Sequence, residues 1–298
     1  MIAIANFVMK GPMQAYLSAI AFALLAIWFT PIGFLAGAII ALVTLRVGVV
    51  DGLKVMAAAA FVHIGLSSLL SGSYLAGLVV MLEFMLPVWI LALVLRQTNS
   101  LGTTLQFAGI MAAVGLVIVH LLIGDMPGWW MNLFNQAFKP VLDQAEVAYS
   151  IEMIEQMSNV MTMLLAMFAV VLWFTVLLAG RWWQGELYYP GQFQQDFHQI
   201  RLPRNVAYAT AFIAIASIFF NESSGGLLGD LFGLLTVVLM FQGLAIAHFS
   251  ILKKEMSNGW LVGLYILLAV FPQTVLVLSI LGLADNFMDF RSRWIESK

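Results

Sequence analysis

The sequence predicts an all-α polytopic membrane protein, a helical bundle with about eight to nine transmembrane helices. Two observations support this class. The chain is 62% hydrophobic and only 9% charged, whereas soluble domains carry about 25% charged residues. It also contains apolar runs such as 227–252, and about 20 helical residues are enough to cross the ~30 Å hydrocarbon core of a bilayer. A soluble globular fold is therefore excluded.

Nine stretches are apolar and long enough to be candidate spans. They lie at about 13–29, 31–50, 55–70, 73–95, 104–124, 160–179, 206–220, 227–252 and 259–284. The first is too long for the apolar part of a signal peptide and is interpreted as a retained helix. Pro87 and Pro272 fall inside spans, where they should kink or break the helix. We expect residues 1–298 to form a single transmembrane domain.

The basic residues predict the orientation, because Lys and Arg concentrate in cytoplasmic loops. The loops on one side would hold Lys10, Arg46, Lys54, Arg96, Arg181, Arg201, Arg204, Lys253 and Lys254, and those on the other side only Lys139. The N-terminus is thus expected in the cytoplasm, with the chain in a bacterial inner membrane. Nine spans would place Arg291 outside, against the rule. Either the C-terminus is an exception, the span near Pro272 is a re-entrant pair, or nine is a miscount.

Two long loops separate the predicted spans. The outer loop, 125–159, begins with the aromatic pair Trp129-Trp130 and continues into a helix-forming stretch at 141–157. An amphipathic helix on the outer surface is the preferred interpretation, and a lid over an outward-facing pocket is the alternative. The inner loop, 181–204, combines aromatic residues with three arginines. That composition is typical of an interfacial segment that contacts lipid headgroups.

Glu83 is the strongest candidate for a ligand-binding residue, because an ionised carboxylate deep in a bilayer is costly. His63 precedes the turn at 71–73 by about as many residues as Glu83 follows it. Helices joined by so short a turn are antiparallel neighbours. We therefore expect His63 and Glu83 to lie within direct or one-water hydrogen-bonding reach inside the bundle, facing away from lipid. A ligand or proton site is one interpretation, and a structural polar pair or a protonated, buried Glu83 is the other.

Gln242 is a third candidate ligand-binding residue, deep in the span at 227–252. Its alternative is a hydrogen bond between helices, a common and modest contribution in membranes. His248, six residues later, lies on a different face and near the Lys253 end, where it would reach the interface. Just past the last span, Asp285 and Asp289 share a helical face beside Arg291. A salt-bridged helix end is the preferred interpretation there, and a partner-docking surface the alternative.

Ala15, Ala19 and Ala23 recur at every fourth position of the first span. Such a stripe lets another helix approach closely. Packing within the protein is the preferred interpretation, and docking of a partner is the alternative. Arg181, Arg201 and Arg204 of the inner loop form a further candidate docking surface, for a membrane or cytoplasmic partner.

Catalytic motifs are missing from the sequence. It contains no His-Glu-x-x-His pair, no Gly-x-Ser-x-Gly elbow, no nucleotide-binding Gly-x-x-x-x-Gly-Lys loop and no cysteine. The four histidines lack metal-ligand spacing, and the net charge of −2 does not indicate nucleic-acid binding. We expect no enzyme activity, no cofactor, no metal site and no nucleic-acid partner.

Several C-terminal motifs resemble those of the YybS-like family of uncharacterised bacterial polytopic membrane proteins. They are Gln242-Gly243-Leu244-Ala245, Gly282-Leu283-Ala284-Asp285 through Asp289-Phe290-Arg291, and the aromatic Pro-Gly connector that ends in Arg201-Leu202-Pro203. The resemblance covers about 179–293. It implies a distant similarity to the substrate-binding subunits of energy-coupling-factor transporters, in which an alanine stripe on the first helix docks the coupling subunit.

Two functions follow as hypotheses. The preferred one is a small-molecule binding or transport component that takes its energy from a partner protein, since the chain lacks an ATPase motif. The alternative is a non-catalytic membrane scaffold or assembly factor. A convergent polar pocket around Glu83 would favour transport, and a bundle packed solid at mid-depth would favour the scaffold.

Overall fold

The computed structural model describes residues 1–219 and 225–291, and these residues form helices and no strands. The all-α prediction is confirmed for this part of the chain. The helices are α1 (Ile2–Val8), α2 (Pro12–Leu25), α3 (Gly33–Arg46), α4 (Val49–Ser71), α5 (Leu75–Thr98), α6 (Leu101–Ile123), α7 (126–144), α8 (Ile151–Tyr188), α9 (Gln192–His198), α10 (Arg204–Phe219), α11 (Leu227–Lys253), α12 (Gly259–Val270) and α13 (Gln273–Met288).

Five helices in the described ranges are long and apolar enough to cross a membrane: α4, α5, α6, α8 and α11. The helices α2, α3, α10, α12 and α13 are apolar but shorter. A helix of 12 to 16 residues covers only about 18–24 Å at 1.5 Å per residue. The eight to nine spans expected from the sequence are therefore not confirmed. The count differs because an apolar stretch of sequence can continue through a turn, whereas the helix itself ends at the turn.

Pro272 divides the last predicted span into two helices. α12 ends at Val270, and Phe271 is extended, with φ −118° and ψ 98°. Proline has no N–H to continue the helical hydrogen bonds. The hydroxyl of Thr274 donates to the carbonyl of Leu267 across the break, at 3.1 Å. The break expected at Pro272 is confirmed, and the continuous span at 259–284 is wrong.

Pro87 has a milder effect on α5. The turn before it, Met81–Met85, is a π-helix rather than an α-helix. Pro87 lacks the N–H that would bond the carbonyl four residues earlier, at Glu83. The indole Nε1 of Trp173 donates to that carbonyl instead, at 2.7 Å. The predicted distortion at Pro87 is confirmed, and a neighbouring helix satisfies the carbonyl that it leaves open.

Both long loops are more helical than expected. α7 ends at Gln144, and 151–157 form the first turns of α8, which runs for 38 residues. The separate amphipathic helix expected at 141–157 is therefore wrong. Arg181 also lies in α8, so only the short α9 and its flanking turns remain of the inner loop. The sequence predicts the helical residues of this loop but not the break near Glu146, which has φ 52°.

The contacts divide the chain into two compact units. The first comprises Met1–Ala108 with Val171–Arg201, and the second comprises Gly109–Val170 with the described residues from Leu202 onward. In the first unit α2, α3, α4 and α5 pack around a core of small and branched residues. Gly37 permits one close approach, because a Cβ there would lie 2.7 Å from both Phe84 and Val176. The expectation of a single transmembrane domain stays a prediction.

The alanine stripe lies inside this first unit. Ala15, Ala19 and Ala23 are almost fully buried, and α2 packs on α3 and α4. The stripe therefore serves packing within the protein, and its alternative role as an exposed docking surface is corrected. Small residues support close helix packing within a chain as well as between chains.

The second unit is built on α11, whose residues from Thr236 to Ile246 are buried without interruption. α13 crosses it at a contact between two glycines. A Cβ on Gly243 would collide with the carbonyl of Leu278, and one on Gly282 with the carbonyl of Leu239. Only glycine permits this approach, which brings the polar residues at the end of α13 against Gln242.

Candidate functional site

A buried polar network joins α11 to the end of α13. Gln242 and Asp285 are 0% exposed and Asn286 is 2% exposed. The amide nitrogen of Gln242 donates to Asp285 at 3.1 Å and to Asn286 at 3.3 Å. Its amide oxygen accepts the backbone N–H of Leu202, at 2.9 Å. Both amide protons are thus used within the protein, which leaves a ligand only a carbonyl lone pair at Gln242.

The carboxylate of Asp285 is neutralised by the chain that follows it. Asp289 ends α13 in the left-handed conformation, with φ 46°. This reversal brings the N–H of Phe290 to 3.1 Å and Nη2 of Arg291 to 3.0 Å from the two carboxylate oxygens. The geometry of Asp285 and Arg291 agrees with the preferred interpretation of a salt-bridged helix end.

The same network reaches the start of α10. Nε of Arg204 donates to the backbone carbonyl of Asn286 at 3.3 Å, and Leu202 contributes its N–H to Gln242. The side-chain Nδ2 of Asn286 is buried and has no hydrogen-bond partner among the described residues. The network holds three segments together by polar contacts among its own residues. Its chemistry is that of a structural junction.

His63 and Glu83 do not form the predicted pair. His63 is buried, and its Nδ1 lies 2.7 Å from the carbonyl of Ala23, to which it must donate. Glu83 is exposed on α5, and its carboxylate makes no hydrogen bond or ion pair with any residue the structure describes. The direct hydrogen bond expected between them is wrong. The similar depth of His63 and Glu83 did not determine on which face of α5 Glu83 lies. The buried face of α5 carries Met85, Val88, Leu91 and Leu95 instead.

A second buried pair, His120 and Asp230, was missed by the sequence analysis. Nε2 of His120 lies 2.8 Å from Oδ2 of Asp230, and their side chains are 10% and 3% exposed. His120 is in the last turn of α6, and Asp230 is in the first turn of α11, where the helix dipole favours a carboxylate. One sequence feature could have indicated the pair: His120 lies near the end of the predicted span 104–124 and Asp230 near the start of the predicted span 227–252, which is the outer side for both spans.

The predicted arginine surface is partly occupied by contacts within the protein. Nε and Nη2 of Arg181 bond Asp196 at 2.8 and 2.6 Å, and Nη1 bonds the side chain of Gln184. Arg204 donates to Asn286, as described, while Arg201 is exposed. His248, expected at the interface, lies 2.9 Å from the hydroxyl of Tyr265 and is half-buried. Use of the arginine surface by a partner stays a prediction.

Metal binding finds no support in this geometry. Within 1–219 and 225–291, no three His, Asp or Glu side chains are grouped closely enough to hold a metal ion. The fold and these contacts define a helical membrane protein whose buried polar groups bond mainly to one another between apolar helices.

The chain belongs to the DUF2232 family, described as predicted membrane proteins, whose family model matches residues 17–286. Comparison with curated proteins and with solved structures gives no match. The membership agrees with the membrane class expected from the sequence. It does not support the YybS-like name or the similarity to energy-coupling-factor subunits, which stay predictions.

Proposed function

We propose that this protein is a non-catalytic component of a membrane protein assembly, a scaffold or assembly factor in a bacterial inner membrane. The observation that carries the proposal is the exposed carboxylate of Glu83 within the membrane-spanning helix α5. A convergent polar pocket around Glu83 would favour transport instead, and the absence of a direct hydrogen bond between Glu83 and His63, whose Nδ1 donates to the carbonyl of Ala23, gives that interpretation less support.

The depth of Glu83 makes its exposure costly. It lies eight residues after Leu75 and fifteen before Thr98, or about 12 Å and 22 Å from the two ends of α5 at 1.5 Å per residue. A charged side chain at such a depth costs about 2.5–3.5 kcal/mol by insertion scales. A polar group of a second membrane helix would remove much of that penalty.

The surroundings of Glu83 suit a protein partner. Leu75, Val79 and Leu82 are each about half exposed, with values of 57%, 48% and 48%. A partner helix that packs on this apolar strip would bring a hydrogen-bond donor or a basic side chain to Glu83. Polar contacts of this kind hold transmembrane helices together. We therefore assign the Leu75–Leu82–Glu83 strip as the partner-facing surface.

A photo-crosslinking amino acid at Leu82 tests this proposal. We expect it to capture a membrane protein in cells, and the yield to fall at least about fivefold when Glu83→Leu is added, since the polar contact is lost. The same probe at Leu121, which is 80% exposed and outside the strip, is the control. Capture of a second copy of this chain would identify the partner as itself. Cross-links to lipid alone would refute the proposal.

A small-molecule binding or transport component is the second candidate function. The observation that favours it is the His120–Asp230 pair, since two titratable groups in contact inside apolar helices are typical of proton relays. Energy would come from a partner, because the chain lacks a nucleotide-binding loop. Native mass spectrometry of the protein purified in mild detergent tests this function. A co-purifying small molecule lost in Asp230→Asn would favour transport, and a co-purifying protein alone would favour the scaffold.

We further propose that the N-terminus faces the cytoplasm. Support comes from three arginines gathered at one end of the first unit. Arg96 contacts the carbonyls of Thr44 and Leu45, next to Arg46, and Arg96 and Arg181 line one cavity. Such a basic end is typical of the cytoplasmic side.

A further inference from the structure

We infer that the basic end of the first unit contains a binding site for a phosphate group, which an anionic phospholipid headgroup would supply. The site is a cavity of about 50 Å³ lined by Leu45, Leu95, Arg96, Asn99, Arg181 and Gln184. We call it the arginine cavity. It is distinct from the Glu83 strip and does not depend on the proposed function.

Charge is the first argument. Two arginines line the arginine cavity, and no carboxylate is among its lining residues. Arg181 is paired with Asp196, but Arg96 forms no ion pair with any acidic residue in the described ranges. The cavity therefore carries uncompensated positive charge, which an anion would neutralise.

The second argument is preorganisation. Nη1 of Arg96 donates to the carbonyls of Thr44 and Leu45 at 2.8 and 3.0 Å, at the end of α3. These bonds hold the guanidinium group in place and leave Nε and Nη2 for another acceptor. A guanidinium group presents its donors in a planar fork that matches phosphate oxygens. Arg96 thus needs little ordering when it binds.

Asn99 provides a further donor. It ends α5 in the left-handed conformation, with φ 50°, which asparagine tolerates better than most residues. Its side-chain amide makes no hydrogen bond to the rest of the described chain, although it lines the cavity. Arg96 and Asn99 together present both charge and a neutral donor.

The size of the cavity limits the ligand. Its volume of about 50 Å³ exceeds the ~10–15 Å³ that one water molecule requires and is far smaller than the roughly 300–1,000 Å³ of sites that enclose a whole small molecule. One phosphate-sized group fits, with the remainder of the ligand outside. A phospholipid satisfies this requirement, because its acyl chains stay in the bilayer.

Aromatic side chains close in sequence to the lining residues support a position of the cavity at the membrane surface. The guanidinium of Arg46 lies 4.1 Å from the ring centroid of Tyr188 and donates to the hydroxyl of Tyr189. The indole of Trp89 donates to the carbonyl of Val49, which follows Arg46 by three residues. Tyr and Trp mark the level of the headgroups, where basic pockets between helices bind anionic lipids.

Lipid binding by the full chain in detergent tests the site. Native mass spectrometry would measure the affinity for dioleoylphosphatidylglycerol, with dioleoylphosphatidylcholine as the zwitterionic comparison. We expect Asn99→Asp to weaken phosphatidylglycerol binding by about tenfold or more, because it places a negative charge in the cavity. It leaves the bonds of Arg96 to α3 untouched. Gln97→Glu adds the same charge on an exposed residue outside the cavity lining and should change binding by less than about twofold.

Asn99→Gly is the second variant, for use where Asn99→Asp does not fold. Glycine suits the positive φ and removes only the amide, so binding should weaken by about three- to tenfold. Competition with inorganic phosphate separates the two phosphate sources. Displacement of the lipid at millimolar concentration would show that the site accepts free phosphate, and no displacement would restrict it to headgroups. Equal phosphatidylglycerol affinity in the wild type and both Asn99 variants would overturn the inference.

Discussion

The indole nitrogen of Trp173 lies 2.7 Å from the carbonyl oxygen of Glu83, the carbonyl that Pro87 leaves without its helical partner. A backbone carbonyl without a partner inside a membrane costs several kcal/mol. The tryptophan of α8 therefore allows a proline in the middle of α5, and the π turn at Met81–Met85 belongs to the same arrangement.

Trp173→Phe should destabilise the first unit by about 1–3 kcal/mol, because it leaves the Glu83 carbonyl unsatisfied. Thermal or denaturant unfolding in detergent would measure the loss. Pro87→Ala restores an N–H at the helical distance. Added to Trp173→Phe, it should therefore recover part of the stability. Strictly additive losses in the double variant would contradict this coupling.

The close contact between Gly243 of α11 and Gly282 of α13 predicts that alanine substitutions of glycines in the second unit differ in their effect on stability. Gly243→Ala and Gly282→Ala should each destabilise by about 1–3 kcal/mol or more, since their methyl groups would collide with backbone carbonyls of the opposite helix. Gly263→Ala in α12 is the matched control, because a Cβ there meets no atom within 4 Å. It should be neutral or stabilise by up to about 1 kcal/mol through helix propensity. Similar effects at all three positions, measured by unfolding in detergent, would contradict the crossing.

The His120–Asp230 pair predicts that removal of one partner is worse than removal of both. His120→Leu should destabilise by about 3–5 kcal/mol, as it leaves Asp230 buried opposite an apolar side chain. The combined His120→Leu and Asp230→Leu variant should recover most of that stability. The comparison is a double-mutant cycle in detergent. An independent, additive effect of the two substitutions would show that the pair is not energetically coupled.

Cysteine labelling checks the proposed orientation, since the chain has no cysteine of its own. Arg201→Cys and Asp143→Cys both introduce a thiol at an exposed position. In intact cells a membrane-impermeant maleimide should label position 143 and leave position 201 unlabelled until the cells are opened. Labelling of position 201 from outside would reverse the orientation derived from the basic residues.

Features that depend on composition or on residues close together in the chain could be predicted from the sequence. Low charge and long apolar runs predicted a helical membrane protein. Pro87 and Pro272 predicted the two distortions, because the missing N–H of proline acts on the same chain within one turn. The salt-bridged end at Asp285 and Arg291 was likewise a contact between near neighbours in sequence.

Only the tertiary structure decided which side chains face inward and which residues meet. A helix that is apolar all round shows no polar face to mark its outer side. Equal depth therefore suggested a His63–Glu83 hydrogen bond, which does not form because Glu83 lies on the exposed face of α5. The structure instead bonds His63 to Ala23 and pairs His120 with Asp230, a residue 110 positions away. The physical reason is that lipid tails are as apolar as the side chains of a protein interior, so an apolar residue in a membrane helix does not reveal whether it faces lipid or protein. Close packing at contacts such as Gly243–Gly282 then selects among the possible helix faces.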